Sequence, residues 1–143
     1  MNINMGTVTV LLIVAAIAQL AIAGLNLRLV RILDWKEPLR QIPLLLREVF
    51  YVHSWFISVT LTIFGVLTLR FAPEMSSNPV ARWLAVAIGC FWGFRTLLQV
   101  GYYSSTHWRG NLRRTIIHVV LLVIYGGMTV TYLLAGLQMK SAL

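Results

Sequence analysis

Acidic residues are nearly missing from this sequence. Four Asp and Glu stand against twelve Lys and Arg, for a formal net charge of +8. The acids are Asp34, Glu37, Glu48 and Glu74, and none lies within a long apolar run. No carboxylate–histidine metal set is therefore visible. Cysteine is limited to Cys90, which excludes an internal disulfide, a cysteine-based metal cluster and a redox pair. Cys90 reads as apolar filler inside a helix. Extended polar stretches are lacking too. The chain is 59% hydrophobic and 11% charged, with a mean hydropathy of +0.80. That is far outside the range of soluble domains. No internal repeat and no low-complexity tract is present.

What remains is four long apolar runs, over residues 7–30, 49–71, 81–103 and 112–137. A helix crosses the ~30 Å hydrocarbon core of a bilayer in about 20 residues, and backbone groups in lipid must be hydrogen-bonded within their own segment. The expectation is an all-α integral membrane protein, residues 1–143 forming a single domain. Short connections make neighbours antiparallel and predict an up-and-down four-transmembrane-helix bundle. The first run is expected to be a retained helix rather than a secretory signal. MNINMGT carries no Lys or Arg, the run is too long, and no small-residue cleavage pattern stands apart from it.

The positive charge is distributed by side. Arg28, Arg31, Lys36, Arg40 and Arg47 surround the first loop, and Arg109, Arg113 and Arg114 the third. Arg70, Arg82 and Lys140 fall at the opposite ends, and Arg95 lies within a span. This pattern orients a membrane protein rather than binding nucleic acid. It predicts an inner-membrane protein of a bacterium with both termini away from the cytoplasm, and a basic face that meets anionic lipid headgroups. Homo- or hetero-oligomerisation is expected.

Between the first two runs, DWKEPLRQIPLLLREV contains Pro38 and Pro43, which argue against one straight helix. Leu39, Ile42, Leu45 and Leu46 alternate there with Lys36, Arg40 and Arg47, and Trp35 is an interfacial anchor. The segment is expected to lie on the cytoplasmic membrane surface. In the outer loop Pro73 and Pro79 act as breakers, and in the inner loop Gly110 and Asn111 are turn residues. Tyr102, Tyr103 and Trp108 read as interfacial aromatics, with His107 beside them in headgroups or solvent. The alternative for that loop is a docking surface for headgroups or a cytoplasmic partner.

At 100° per residue the helices acquire faces. In the third, Ala85, Gly89 and Gly93 form a small-residue row suited to close packing, flanked by Trp92, Arg95, Gln99 and Tyr102. In the fourth, His118, Tyr125, Thr129, Tyr132 and Gly136 share one side. The first carries Gln19 and Asn26 beside Ala15 and Ala23. The second offers two competing rows, Glu48–Tyr51–Trp55–Ser58–Thr62 and His53–Ile57–Thr60–Phe64, so its rotation stays open. Counted from the cytoplasmic ends, Asn26, His53, Gln99 and His118 lie roughly 7–9 Å inside the boundary, with Arg95 a turn deeper.

An arginine at mid-span costs about 2.5–3.5 kcal/mol on insertion scales and needs a partner. Glu48 starts about 13 Å away along the membrane normal, beyond the ~6–7 Å reach of the side chain. The candidates are carbonyl, Tyr or Gln oxygens (Gln99, Tyr102, Tyr125), a water-filled cavity, a carboxylate of another subunit, or an anionic or carbonyl-bearing ligand. The candidate ligand-binding set is Arg95, Gln99, Tyr102, His118, Tyr125 and Asn26. The leading function is binding of another membrane component, a lipid-like ligand or a partner subunit, by an accessory or assembly subunit. A different class places haem b between His53 and His118, with Arg95 on a propionate, or a quinone against His118 or Tyr125. Membrane-embedded lipid modification or transport is a further alternative. For catalysis only His53, His118 or the tyrosines offer a base, no nucleophile with an oriented base is visible, and no inverted repeat supports a transporter.

Overall fold

The computed structural model describes residues 4–102 and 112–137. The inner-loop residues Tyr103, His107, Trp108, Arg109, Gly110 and Asn111, and Lys140 near the end of the chain, lie outside the described residues, as do the side chains of Arg113 and Arg114. Among the described residues there are helices and turns and no strand. Helix α1 spans Met5–Ile32, α2 Lys36–Arg40, α3 Leu44–Phe71, α4 Pro79–Gly101 and α5 Leu112–Leu137, with a 3-10 turn at Glu74–Ser76. Four of the helices, α1, α3, α4 and α5, are long and apolar enough to cross a membrane.

The chain divides into two compact units. One is Ile13–Arg70, most of α1 with α2 and α3; the other joins the start of α1, as far as Leu12, to everything from Phe71 onward.

In the first unit, α1 and α3 approach at Gly65. A Cβ there would fall 2.8 Å from the Leu20 side chain and 3.3 Å from the Ala16 carbonyl oxygen. Polar residues of α1 cross to α3. The fully buried Gln19 donates through Nε2 to the Leu61 carbonyl at 3.2 Å. Asn26 donates through Nδ2 to the Ser54 carbonyl and to Ser58 Oγ, each at 2.9 Å. Such cross-helix bonds are favoured where no water competes. The buried stripe of α3 is Ser58, Leu61, Gly65 and Thr68. It runs between the two rows that the sequence offers, and α1 meets it at the Leu61 carbonyl, Ser58 and Gly65, while its hydroxyl residues can bond back to their own helix. Ser58 and Thr68 do so, to the Ser54 and Phe64 carbonyls.

The α1–α2 junction is a Schellman turn. Asp34 has φ 53°, its amide donates to the Arg31 carbonyl, and that of Trp35 reaches back to Val30 at 2.9 Å. Trp35 then meets Phe50 of α3 edge to face, with ring centroids 6.2 Å apart. Helix α3 starts at Leu44, well before the apolar run expected from residue 49. Pro43 just ahead of it lacks an N–H that a first turn would leave unpaired anyway, and its carbonyl accepts from Arg47 at 3.1 Å.

In the second unit Pro79 opens α4 at its first position. Asn78 caps it, its side-chain oxygen accepting from Val80 and Ala81. The preceding 3-10 turn packs on α4 and α5, and its Met75 is fully buried.

Candidate functional site

Helices α4 and α5 pack as a close antiparallel pair, and small residues set their distance. A Cβ on Gly89 would sit 2.9 Å from Leu133 Cγ and 3.2 Å from its backbone nitrogen; one on Gly93 would sit 3.3 Å from Thr129 Cγ2. Ala85 on the same row is fully buried. The expected polar face of α5 points at this row, with Tyr132 and Tyr125 buried. Thr96 and Thr129 bring their hydroxyls to 3.5 Å across the pair. Each is already donating to its own helix, to the Trp92 and Tyr125 carbonyls at 2.8 Å, so the cross-helix contact adds little.

The antiparallel register then delivers the charged and titratable residues. Trp92, buried to 1% exposure, stacks on Tyr125 with centroids 5.2 Å apart and planes at 29°. Arg95, one turn on and half-buried, places its guanidinium carbon 4.9 Å from the centre of the same Tyr125 ring. The cation that has no acid within reach in the sequence thus meets a partner inside the chain, the π-face of Tyr125. A cation–π contact contributes about 0.5–1 kcal/mol at an exposed site and about 2 kcal/mol when desolvated, and the half-buried Arg95 falls between these.

One further turn along α4, Gln99 is 3% exposed. Its amide nitrogen lies 2.9 Å from Nδ1 of His118. The other end of the amide, Oε1, is buried and has no hydrogen-bond partner among the described residues. Exchanging the amide oxygen and nitrogen leaves the same count, with one end on the imidazole and one end open.

The sequence-derived candidates therefore divide. Arg95 and Tyr125 touch, and Gln99 and His118 touch, all within the α4–α5 pair. Tyr102 caps the end of α4 and is 82% exposed. Asn26 takes its partners from α3 in the first unit, and His53 is exposed on α3. Trp92 was legible as a neighbour of Arg95, but its stacking on Tyr125 depends on the helix register, for which the sequence holds no local signal. Among the described residues, no group of three or more His, Cys, Asp or Glu could hold a metal ion. Chemically the pair offers a cation, an imidazole and an unmet buried amide end, all on the last two turns of α4 and the facing part of α5. Neither a protein-family model, nor a curated protein, nor a solved structure matches this chain.

Proposed function

We propose that this is a small polytopic membrane protein that binds another membrane component, a lipid-like amphiphile or a partner helix, through Arg95, Gln99, His118 and Tyr125. In this reading the four long helices cross the bilayer up and down as a bundle. The short α2 lies at the cytoplasmic surface, and both termini lie on the far side of a bacterial inner membrane. Helices of 28, 28, 23 and 26 residues exceed the about 20 that a span requires. Large apolar side chains such as Val52, Phe56, Leu97 and Val123, each more than 60% exposed, suit a lipid surround. The role is that of an accessory or assembly subunit.

The observation that carries the binding proposal is the unmet amide end of Gln99. Burying a polar group without a partner costs about 1–3 kcal/mol in proteins, and in a bilayer no water is at hand to relieve it. A hydroxyl or N–H of an incoming component would satisfy Oε1, while the neighbouring Arg95 favours a component with a negative or carbonyl oxygen.

The test is purification of wild type, Gln99→Leu and Arg95→Leu in mild detergent, with identification of every co-purifying lipid and protein. The expected result is a stoichiometric component retained by wild type and lost from both variants while helicity is unchanged. Variants that fold and keep the same lipids and proteins would remove these residues from any site. An absorption spectrum of the same wild-type preparation tests the haem alternative, since a Soret band would replace the amphiphile by a tetrapyrrole.

A further inference from the structure

Away from the α4–α5 pair, the first unit gathers positive charge in one place. A cleft of about 310 Å³ is lined by Lys36, Arg40, Arg47 and Tyr51. Lys36 and Arg40 lie four apart on α2, and Arg47 and Tyr51 four apart on α3, so each pair shares a helix face. Apolar contacts impose the meeting of these two faces. Trp35, beside Lys36, holds Phe50, beside Tyr51, at 6.2 Å, and Leu39, beside Arg40, is buried. Three cations are thereby held around one cavity against their mutual repulsion. The nearby acids do not line it: Asp34 and Glu48 are exposed. Glu37 does pair with Arg40 at 3.0 Å, but both side chains are more than 70% exposed. A surface ion pair of that kind is worth at most about 1 kcal/mol, so an incoming phosphate can take the place of the carboxylate on Arg40.

We propose that this cleft binds the phosphate of an anionic glycerophospholipid. Arginines recognise phosphate through bidentate N–H pairs, a lysine adds a point charge, and the tyrosine hydroxyl supplies a neutral donor. The volume suits a headgroup rather than a bare ion. Apolar side chains continue from the cleft along α3: Tyr51 is 40% exposed, and Trp55, one turn further, is 62% exposed with Val52 at 68% beside it. Acyl chains anchored at the cleft would run along that surface. The site is independent of the Gln99 cluster and stands or falls separately from it.

The experiment uses the full chain in mild detergent. Thermal unfolding is followed with added phosphatidylglycerol, with phosphatidylcholine, and with inorganic phosphate. Arg40→Gln/Arg47→Gln is compared with Arg28→Gln/Arg31→Gln, which removes the same charge outside the cleft. The expected result is a midpoint rise specific to phosphatidylglycerol, with an apparent affinity at least tenfold weaker in the cleft variant and unchanged in the control. Equal loss in both variants reduces the effect to general surface charge and overturns the site. Equal stabilisation by phosphatidylcholine overturns the anionic headgroup, and equal stabilisation by inorganic phosphate overturns the lipid. If the double variant does not fold, Arg40→Gln and Arg47→Gln are read singly against Arg28→Gln, with the same expected and overturning outcomes.

Discussion

Arg82 and Gly136 tie the first turn of α4 to the last turn of α5: the guanidinium Nε donates to the Gly136 carbonyl at 3.0 Å. That carbonyl is one of the last four of its helix, which have no partner within the helix, and a cation there also meets the negative end of the helix dipole. The bond is possible because the backbones nearly touch. A Cβ on Gly136 would stand 2.6 Å from Val86 Cγ2 and 2.8 Å from the Arg82 carbonyl oxygen.

Gly136→Ala is therefore expected to destabilise the pair by about 1–3 kcal/mol, the usual range for overpacking, because backbone atoms cannot rotate out of the way. Gly127→Ala, where a Cβ meets nothing within 4 Å, is expected to be neutral or slightly stabilising through helix propensity, by no more than ~1 kcal/mol. Unfolding of helicity by SDS titration in mixed micelles measures both. Equal effects of the two substitutions would contradict the close approach.

Asp34 holds the left-handed position of the α1 terminus at φ 53°. Such a conformation costs a residue with a Cβ about 1–2 kcal/mol, less for Asp than for most. Asp34→Gly is expected to raise stability by roughly 0.5–1 kcal/mol and Asp34→Val to lower it. The same titration should order the three proteins Gly, Asp, Val.

For Gln99 and His118, the order of effects discriminates. Removing the imidazole with His118→Leu leaves both ends of a buried amide unmet, whereas Gln99→Leu removes an end that is already open. The histidine change should be the more damaging one. A double-mutant cycle should return a coupling of about 0.6 kcal/mol, at most ~1.7, the range measured for hydrogen bonds between membrane helices. A coupling near zero would mean that the 2.9 Å contact does not hold in the folded protein.

The ring of Tyr125 serves both Trp92 and Arg95. Tyr125→Phe keeps the π-face, while Tyr125→Leu removes a stacking and a cation–π contact together, expected to cost roughly 1–3 kcal/mol. In an Arg95→Leu background the cost of Tyr125→Leu should fall, since only the Trp92 contact is then lost. An unchanged cost would show that Arg95 gains nothing from the ring.

The four long helices were legible because each is a continuous apolar run of membrane-spanning length, a property of composition that packing cannot obscure. The inward faces of α4 and α5 were legible for a related reason: glycine, histidine, tyrosine and threonine recur at helical spacing in otherwise aliphatic sequence. The rotation of α3 was not, since its hydroxyl residues occupy several faces and bond to their own helix on any of them. Nor was the early start of α3 at Leu44, where a proline that breaks one helix also serves to open the next. In the outer loop, Met75 reads as part of a polar turn but fills a space that exists only once α4 and α5 have met. The partner of Arg95 depends on how α4 and α5 slide past each other, which is set by contacts between the two helices, the glycine approaches and the Arg82–Gly136 bond among them.

The bonds of Gln19 and Asn26 to α3, and of Gln99 to His118, each join helices that follow one another as long spans along the chain. For a chain that enters a bilayer during synthesis, this means that a nascent hairpin can shelter Gln19 and Asn26, and one end of the Gln99 amide, before later segments emerge. Under the proposed membrane reading, each pair would then enter lipid as one largely greasy body, and the order of translation would match the order in which these hydrophilic groups find cover.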